Sequence, residues 1–209
     1  MRQTGQPYHV NLVALYRDRC QEEGQERMAE SVKRPDELRA IDVFPDWHGV
    51  REGLLKRVRN LTLEQLAWRI TPTSFSVAEI IRHIAWADDR AVSIVLGEQV
   101  SEHTERTHST LASMLADLAE QHDRKIKMLE RLTLIDLQRR IVMLYGDGSG
   151  KGEEMTIWRY LFRHIDHEIH HRGQLSVYLK LMAQEAERDG KDWSNLYKPV
   201  YKFQQQQLR

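Results

Sequence analysis

Cysteine is nearly missing from this 209-residue chain, with Cys20 the single copy. One thiol excludes a disulfide within the chain and a cysteine-based zinc cluster. Net charge is missing too, 31 Lys and Arg standing against 31 Asp and Glu. Nothing in that balance draws the chain to nucleic acid or to an anionic membrane. No apolar run approaches the roughly 20 residues that cross a bilayer, and the first residues lack the apolar centre of a signal peptide. The expectation is a soluble, cytoplasmic protein with neither nucleic acid nor membrane as partner. Glycine and proline are scarce, at 11 and 5 residues, so little interrupts the long stretches in which apolar residues recur at three and four. That period means amphipathic helix. The 41% apolar content is enough for a buried core, which rules out wholesale disorder.

Four long helices are expected. Trp47, Val50, Leu54 and Val58 mark the first, over about residues 46–60, and Thr62 with Gln65 caps a short turn after it. Ser76 and Glu79 form a second capping box, with Phe75 and Ile80 placed as its hydrophobic staple. This second helix carries Val77, Ile80, Ile81, Ile84 and Val95 inward and stops near Gly97. Residues 98–108 are polar and long enough to cross a bundle end. Leu111, Leu115, Leu118, Ile126 and Leu129 define a third helix over 110–131, and Ile157, Leu161, Ile165 and Ile169 a fourth over 156–184. The segment 132–145 is read as helical, with 141–145 open to an extended reading. The glycine-rich run at 146–152 has the wrong order for a phosphate loop, because Lys151 is followed by Gly152, and is read as a connector. Residues 61–70 resemble residues 132–141, a hint of two related helix pairs. The chain thus divides into an N-terminal extension (1–45) with a short helix near Val10–Tyr16, an all-α bundle (46–184) and a tail (185–209). The tail's Trp193, Tyr197, Tyr201 and Phe203 are expected to pack on the bundle or on a partner chain, which makes a homodimer reasonable.

Histidine is the unusual entry in the composition, with ten copies, four of them between residues 164 and 171. Helical residues four apart lie within about 40° and roughly 6 Å along the axis. His167 and His171 therefore share a face at a spacing that suits one metal ion, His164 points the same way, and His170 is turned off it. Spacing alone leaves both the His164/His167 and the His167/His171 pair open. A third ligand has to come from another helix. His83, among Ile80, Ile84 and Ala87, is the stronger candidate. His122, flanked by Leu118 and Ile126, is the rival, more simply read as a hydrogen-bonded core residue. Gln174, seven residues after His167, lies over the same face, where its amide could meet a ligand or satisfy a buried neighbour. Trp86 could wall a pocket near His83. Glu168 is turned about 100° from His167 and is a poor general base.

The run Ser76-Val77-Ala78-Glu79-Ile80-Ile81-Arg82-His83-Ile84-Ala85-Trp86-Ala87-Asp88, followed by His167-Glu168-Ile169-His170-His171-Arg172-Gly173-Gln174-Leu175, resembles the DinB-like (YfiT-like) family of metalloenzymes. The resemblance covers residues 46–184. It implies a four-helix bundle with up-down-down-up connectivity and a divalent metal held by His83, His167 and His171. Zinc or nickel is the first expectation for that metal, with iron or copper also compatible with three imidazoles. Such a site keeps an open position, as catalytic sites do. Relatives of known activity look like enzymes that use low-molecular-weight thiols. The first expectation is therefore activation of a small thiol for transfer to an electrophile. Metal-dependent hydrolysis is the second, and a non-enzymatic, metal-stabilised stress-response or interaction bundle is the third.

Overall fold

The computed structural model describes residues 33–34, 37–44, 46–100, 107–144 and 151–197. The chain separates into a unit of residues 1–37 and a larger one that begins at Leu38. In the first, the described residues Arg34 and Glu37 form an exposed ion pair at 2.9 Å. The short helix expected near Val10–Tyr16 lies outside the described residues, as do Tyr201 and Phe203.

The larger unit is mostly helical. A one-turn helix α1 (Ala40–Val43) leads into α2 (Trp47–Val58), a short α3 (Leu63–Ala67), α4 (Val77–Leu96), α5 (Leu111–Arg131) and α6 (Ile157–Asp189). Each helix start has a local cause. Thr62 and Gln65 close the capping box of α3, and Ser76 and Glu79 that of α4. Thr110 and Thr156 accept hydrogen bonds from the backbone N–H three residues on at the starts of α5 and α6. α4 and α6 end on Gly97 (φ 71°) and Gly190 (φ 68°), which take the left-handed conformation that terminates a helix. α4 packs most extensively on α5, and α6 packs on α2 and α4.

The core is split in two. At one end Leu54, Val58, Ile80, Ile84, Leu118 and Leu179 meet in one apolar cluster. At the other, Ala40, Trp47, Val92, Leu129, Ile157 and Leu161 meet in a second. Leu38, Ala40 and Phe44 are buried, so the packed unit starts ahead of residue 46. Trp193 and Tyr197 of the tail lie half-buried against the first cluster.

Residues 132–145 differ from the helical reading. After a 3-10 turn (Asp136–Gln138), strand β1 (Arg140–Leu144) pairs antiparallel with β2 (Gly152–Thr156), Val142 facing Glu154 in the register. Burial of Met155 and Ile157 anchors this hairpin beneath the second cluster. The two similar segments thus diverge. Thr62 and Gln65 start a helix, whereas Thr133 and Asp136 close only a turn, Asp136 accepting from the Thr133 N–H at 2.9 Å.

Candidate metal centre

Between the two apolar clusters lies a layer of charge with one residue from each long helix. Arg51 of α2 donates to Glu168 of α6 at 2.7 Å and to the Leu118 carbonyl at 2.9 Å. Lys125 of α5, fully buried, donates to Asp88 of α4 at 2.7 Å and to Glu168 at 3.2 Å, with its ammonium 4.8 Å from the centre of the Trp47 ring. Arg51 also pairs with Asp88. Two cations and two carboxylates close a neutral set. Burial works against ionisation of Asp88, yet Lys125, Arg51 and the bond from His164 hold it well below the ordinary carboxylate range. Burial opposes ionisation of Glu168 as well, and Lys125 and Arg51 again outweigh it. Isolated buried charges would be very costly. Paired in this way they tie one residue of each long helix into a single network.

Beside this layer three imidazoles converge. His83 projects from α4, and His167 and His171 from successive turns of α6. The Nε2 atoms of His83 and His167 are 3.0 Å apart, and those of His171 and His167 3.1 Å. A hydrogen-bond chain sets the tautomer of His171. The Tyr178 hydroxyl donates to the Phe75 carbonyl at 3.0 Å and accepts from the Gln174 amide at 3.4 Å, which turns the Gln174 Oε1 toward His171 Nδ1 at 2.8 Å. Nδ1 must then carry the proton, and His171 Nε2 presents a lone pair. One proton on His167 Nε2 can serve the contact with His171 or the contact with His83, not both well. A cation placed among the three lone pairs satisfies every one of them. Bonds of about 2.0–2.1 Å from one ion also imply nitrogen separations near 3 Å, so the donor set fits a metal. Burial, then the neighbouring His171, His164 and His83, pushes His167 down to about 3, and burial lowers His171 against the pull of Gln174. Both rings are thus held neutral, the form that ligates. Among the described residues this is the one group of three or more such side chains whose donor atoms lie within 4.8 Å of one another.

A cavity of about 220 Å³ opens on this group between α4 and α6. His83 and His167 form its floor, with His164 beside them, and Trp86, Arg90, Tyr160, Arg163 and Met143 of β1 form its walls.

The sequence profile of the DinB superfamily matches residues 46–175. The chain belongs to the DinB superfamily. The uncharacterized protein YjoA of Bacillus subtilis is 24% identical over 123 residues, covering 59% of this chain and 77% of YjoA. The crystal structure of YjoA superposes with a TM-score of 0.53 at 21% identity, over 68% of this chain and 92% of that one. A DinB-like protein from Bacillus cereus superposes at 0.56 and 20% identity, over 67% and 90%. YfiT from Bacillus subtilis, described as a probable metal-dependent hydrolase with an unusual four-helix bundle topology, superposes at 0.52 and 20%, over 81% and 95%. These likenesses establish the fold.

Within that DinB bundle the other candidates fall elsewhere. His164 Nε2 bonds Asp88 Oδ1 at 2.8 Å, which ties this ring to the charged layer although it borders the cavity. His122 is buried with its Nε2 3.3 Å from His48 Nδ1, and burial, with Arg51 and Lys125 nearby, pushes it down to about 4. His170 is exposed. Trp86 lies 5.7 Å from the His83 ring, centre to centre, and lines the cavity. The charged layer itself escaped the sequence reading. Its signal was present: Arg51, Asp88, Lys125 and Glu168 each occupy an inward position of the three-four apolar period, where a charge needs a partner.

Proposed function

We propose that this protein is a metal-dependent enzyme in which His83, His167 and His171 hold one divalent cation through Nε2, and that it activates a low-molecular-weight thiol for transfer to an electrophile. The observation that carries the proposal is the convergence of three Nε2 atoms, at 3.0 and 3.1 Å, beside a cavity that His83 and His167 line. Bound there, a divalent cation supplies a Lewis acid with an open side that lowers the pKa of a thiol or water. The chain supplies the rest. Gln174 orients His171 by accepting its Nδ1 proton. Trp86 and Tyr160 line the cavity beside His83 and His167. Glu168, adjacent to His167 in sequence, is held by Arg51 and Lys125, and among the described residues no carboxylate lines the cavity. Hydrolysis also gains from a group that passes a proton to the departing fragment, whereas a thiol, more acidic than water, becomes a thiolate on the Lewis acid by losing its proton to solvent. This favours thiol transfer. The description of YfiT as a probable metal-dependent hydrolase supports hydrolysis as the second reading.

Cobalt-substituted protein tests the choice. Thiol activation predicts that 2-mercaptoethanol produces a sulfur-to-cobalt charge-transfer band near neutral pH and that metal-loaded protein speeds its reaction with an electrophile, a gain lost in His83→Ala. A hydrolase would instead be inhibited by the thiol. Absence of the band and of any thiol effect would refute an open metal position.

A further inference from the structure

Tyr160 stands on α6 two turns ahead of His167 and so on the same face of the helix. Its ring is buried in the second apolar cluster and also lines the cavity that His83 and His167 line. Arg90 of α4, another residue of the cavity wall, donates to the Tyr160 hydroxyl. An arginine has five N–H donors and no acceptor. The bond therefore uses the phenol oxygen, holds whatever else the guanidinium meets, and leaves the hydroxyl proton to be given elsewhere. Among the described residues Arg90 is the one polar partner of that hydroxyl. Burial pushes the Tyr160 hydroxyl up from its ordinary value against the pull of Arg90, so it keeps its proton at neutral pH. A buried polar hydrogen is rarely left without an acceptor, and donation from a cation polarises the O–H into a stronger donor. Trp86, Ala87 and Met143 of β1 give the same cavity an apolar side. Its volume of about 220 Å³ is below the ~300–1,000 Å³ of drug-sized pockets, room for one ring and its substituent.

We infer that this cavity binds a small carbonyl compound whose oxygen accepts a hydrogen bond from the Tyr160 hydroxyl and whose apolar body lies against Trp86 and Met143. That this compound is the electrophile of the thiol reaction rests on the function proposed above. Its capture does not, because Tyr160 and Arg90 belong to the chain and act without a metal. An analogue without the oxygen leaves the buried hydroxyl unpaired, and that difference is what makes the site selective.

The test uses chelator-treated full-length protein and ligand-observed NMR. Acetophenone is the probe, and α-methylstyrene, with a CH2 group in place of the carbonyl oxygen on the same frame, is its twin. Acetophenone is expected to bind saturably and roughly fivefold or more tightly than α-methylstyrene, as one cooperative hydrogen bond allows. Tyr160→Phe should abolish that preference while leaving α-methylstyrene affinity and the circular dichroism spectrum unchanged, which a merely structural tyrosine would not do. Should Tyr160→Phe fail to fold, the infrared band of acetophenone labelled with carbon-13 at the carbonyl decides on the wild type. It is expected below its position in an apolar solvent, and a bound band at the apolar position would overturn the inference. Equal binding of the two probes, no saturable binding of acetophenone, or an undiminished preference in folded Tyr160→Phe would each overturn it as well. Zinc uptake by the same wild-type preparation is measured alongside. Failure of zinc to bind would sink the metal-dependent function and leave the carbonyl site standing, whereas zinc uptake with no preference for acetophenone would sink the carbonyl site alone.

Discussion

Replacing Lys125 by Met leaves the charged layer one cation short. The ammonium is fully buried and bonds both Asp88 and Glu168, at 2.7 and 3.2 Å. Without it two buried carboxylates share one guanidinium, Arg51, with the His164 ring still bonded to Asp88, a net charge of about −1 in the middle of the core while that ring is neutral. Removing one partner of a buried pair costs about 3–5 kcal/mol, and methionine fills much of the lysine stem, so the loss is electrostatic rather than a cavity effect. Urea unfolding of chelator-treated protein at pH 7 should show that loss. Heating should show a midpoint lower by ~6–20 °C, at ~2–4 °C per kcal/mol for a chain of this size. Adding Glu168→Gln removes the surplus charge, so the double variant should be more stable than Lys125→Met by at least ~1 kcal/mol. The pH dependence has a definite sign. Asp88 and Glu168 both have folded pKa values below their unfolded ones. Their contribution is complete above the unfolded values, about 3.9 and 4.3, and is lost as pH falls through the folded ones. In Lys125→Met, protonation instead relieves the surplus charge. The gap between the two proteins should narrow below about pH 4.5. A loss under ~1 kcal/mol at pH 7, or a gap that does not change with pH, would refute the layer as a charge network that joins the four helices.

Two further outcomes follow from single side chains. His122, pushed down to about 4 by its burial and by Arg51 and Lys125, should stay neutral through the range where exposed imidazoles titrate; because the unfolded chain protonates it first, it removes stability as pH falls below about 6.5. Carbon-13 NMR of labelled histidines checks this, and a midpoint near 6.5 would contradict it. Gln174→Ala removes the acceptor that fixes the His171 tautomer and should weaken zinc binding roughly 10–100-fold in competition with a chromogenic chelator, with the fold retained; unchanged affinity would contradict the orienting role.

What could be read in the residues was what local chemistry decides. Ser76 with Glu79 and Thr62 with Gln65 announce helix starts because the bonds they make span three residues. Gly97 announces a stop because it takes a conformation other residues avoid. The hairpin was half visible: 141–145 was open to an extended reading, which β1 bears out, but 132–140 was read as helical and the pairing with β2 was not foreseen. Its strands are five residues long, and their stability comes from Met155 and the second apolar cluster rather than from any pattern of their own. Spacing on α6 could not separate His164 from His171, since both share a face with His167. What separates them is Asp88, one helix away, which takes the His164 Nε2, and Gln174, which turns His171 Nε2 toward His83 and His167. The charged layer was unreadable as a set for the same reason: each member looks like a defect on its own helix, and only the packing of four helices supplies its partners.

The central claim is that His83, His167 and His171 form one metal site, and elemental analysis of protein purified without a histidine tag and incubated with zinc tests it most directly. The predicted result is one zinc per chain, lost in His83→Ala, His167→Ala and His171→Ala and kept in His122→Ala. A wild type that holds no zinc, or a His83→Ala protein that holds as much as the wild type, would contradict it.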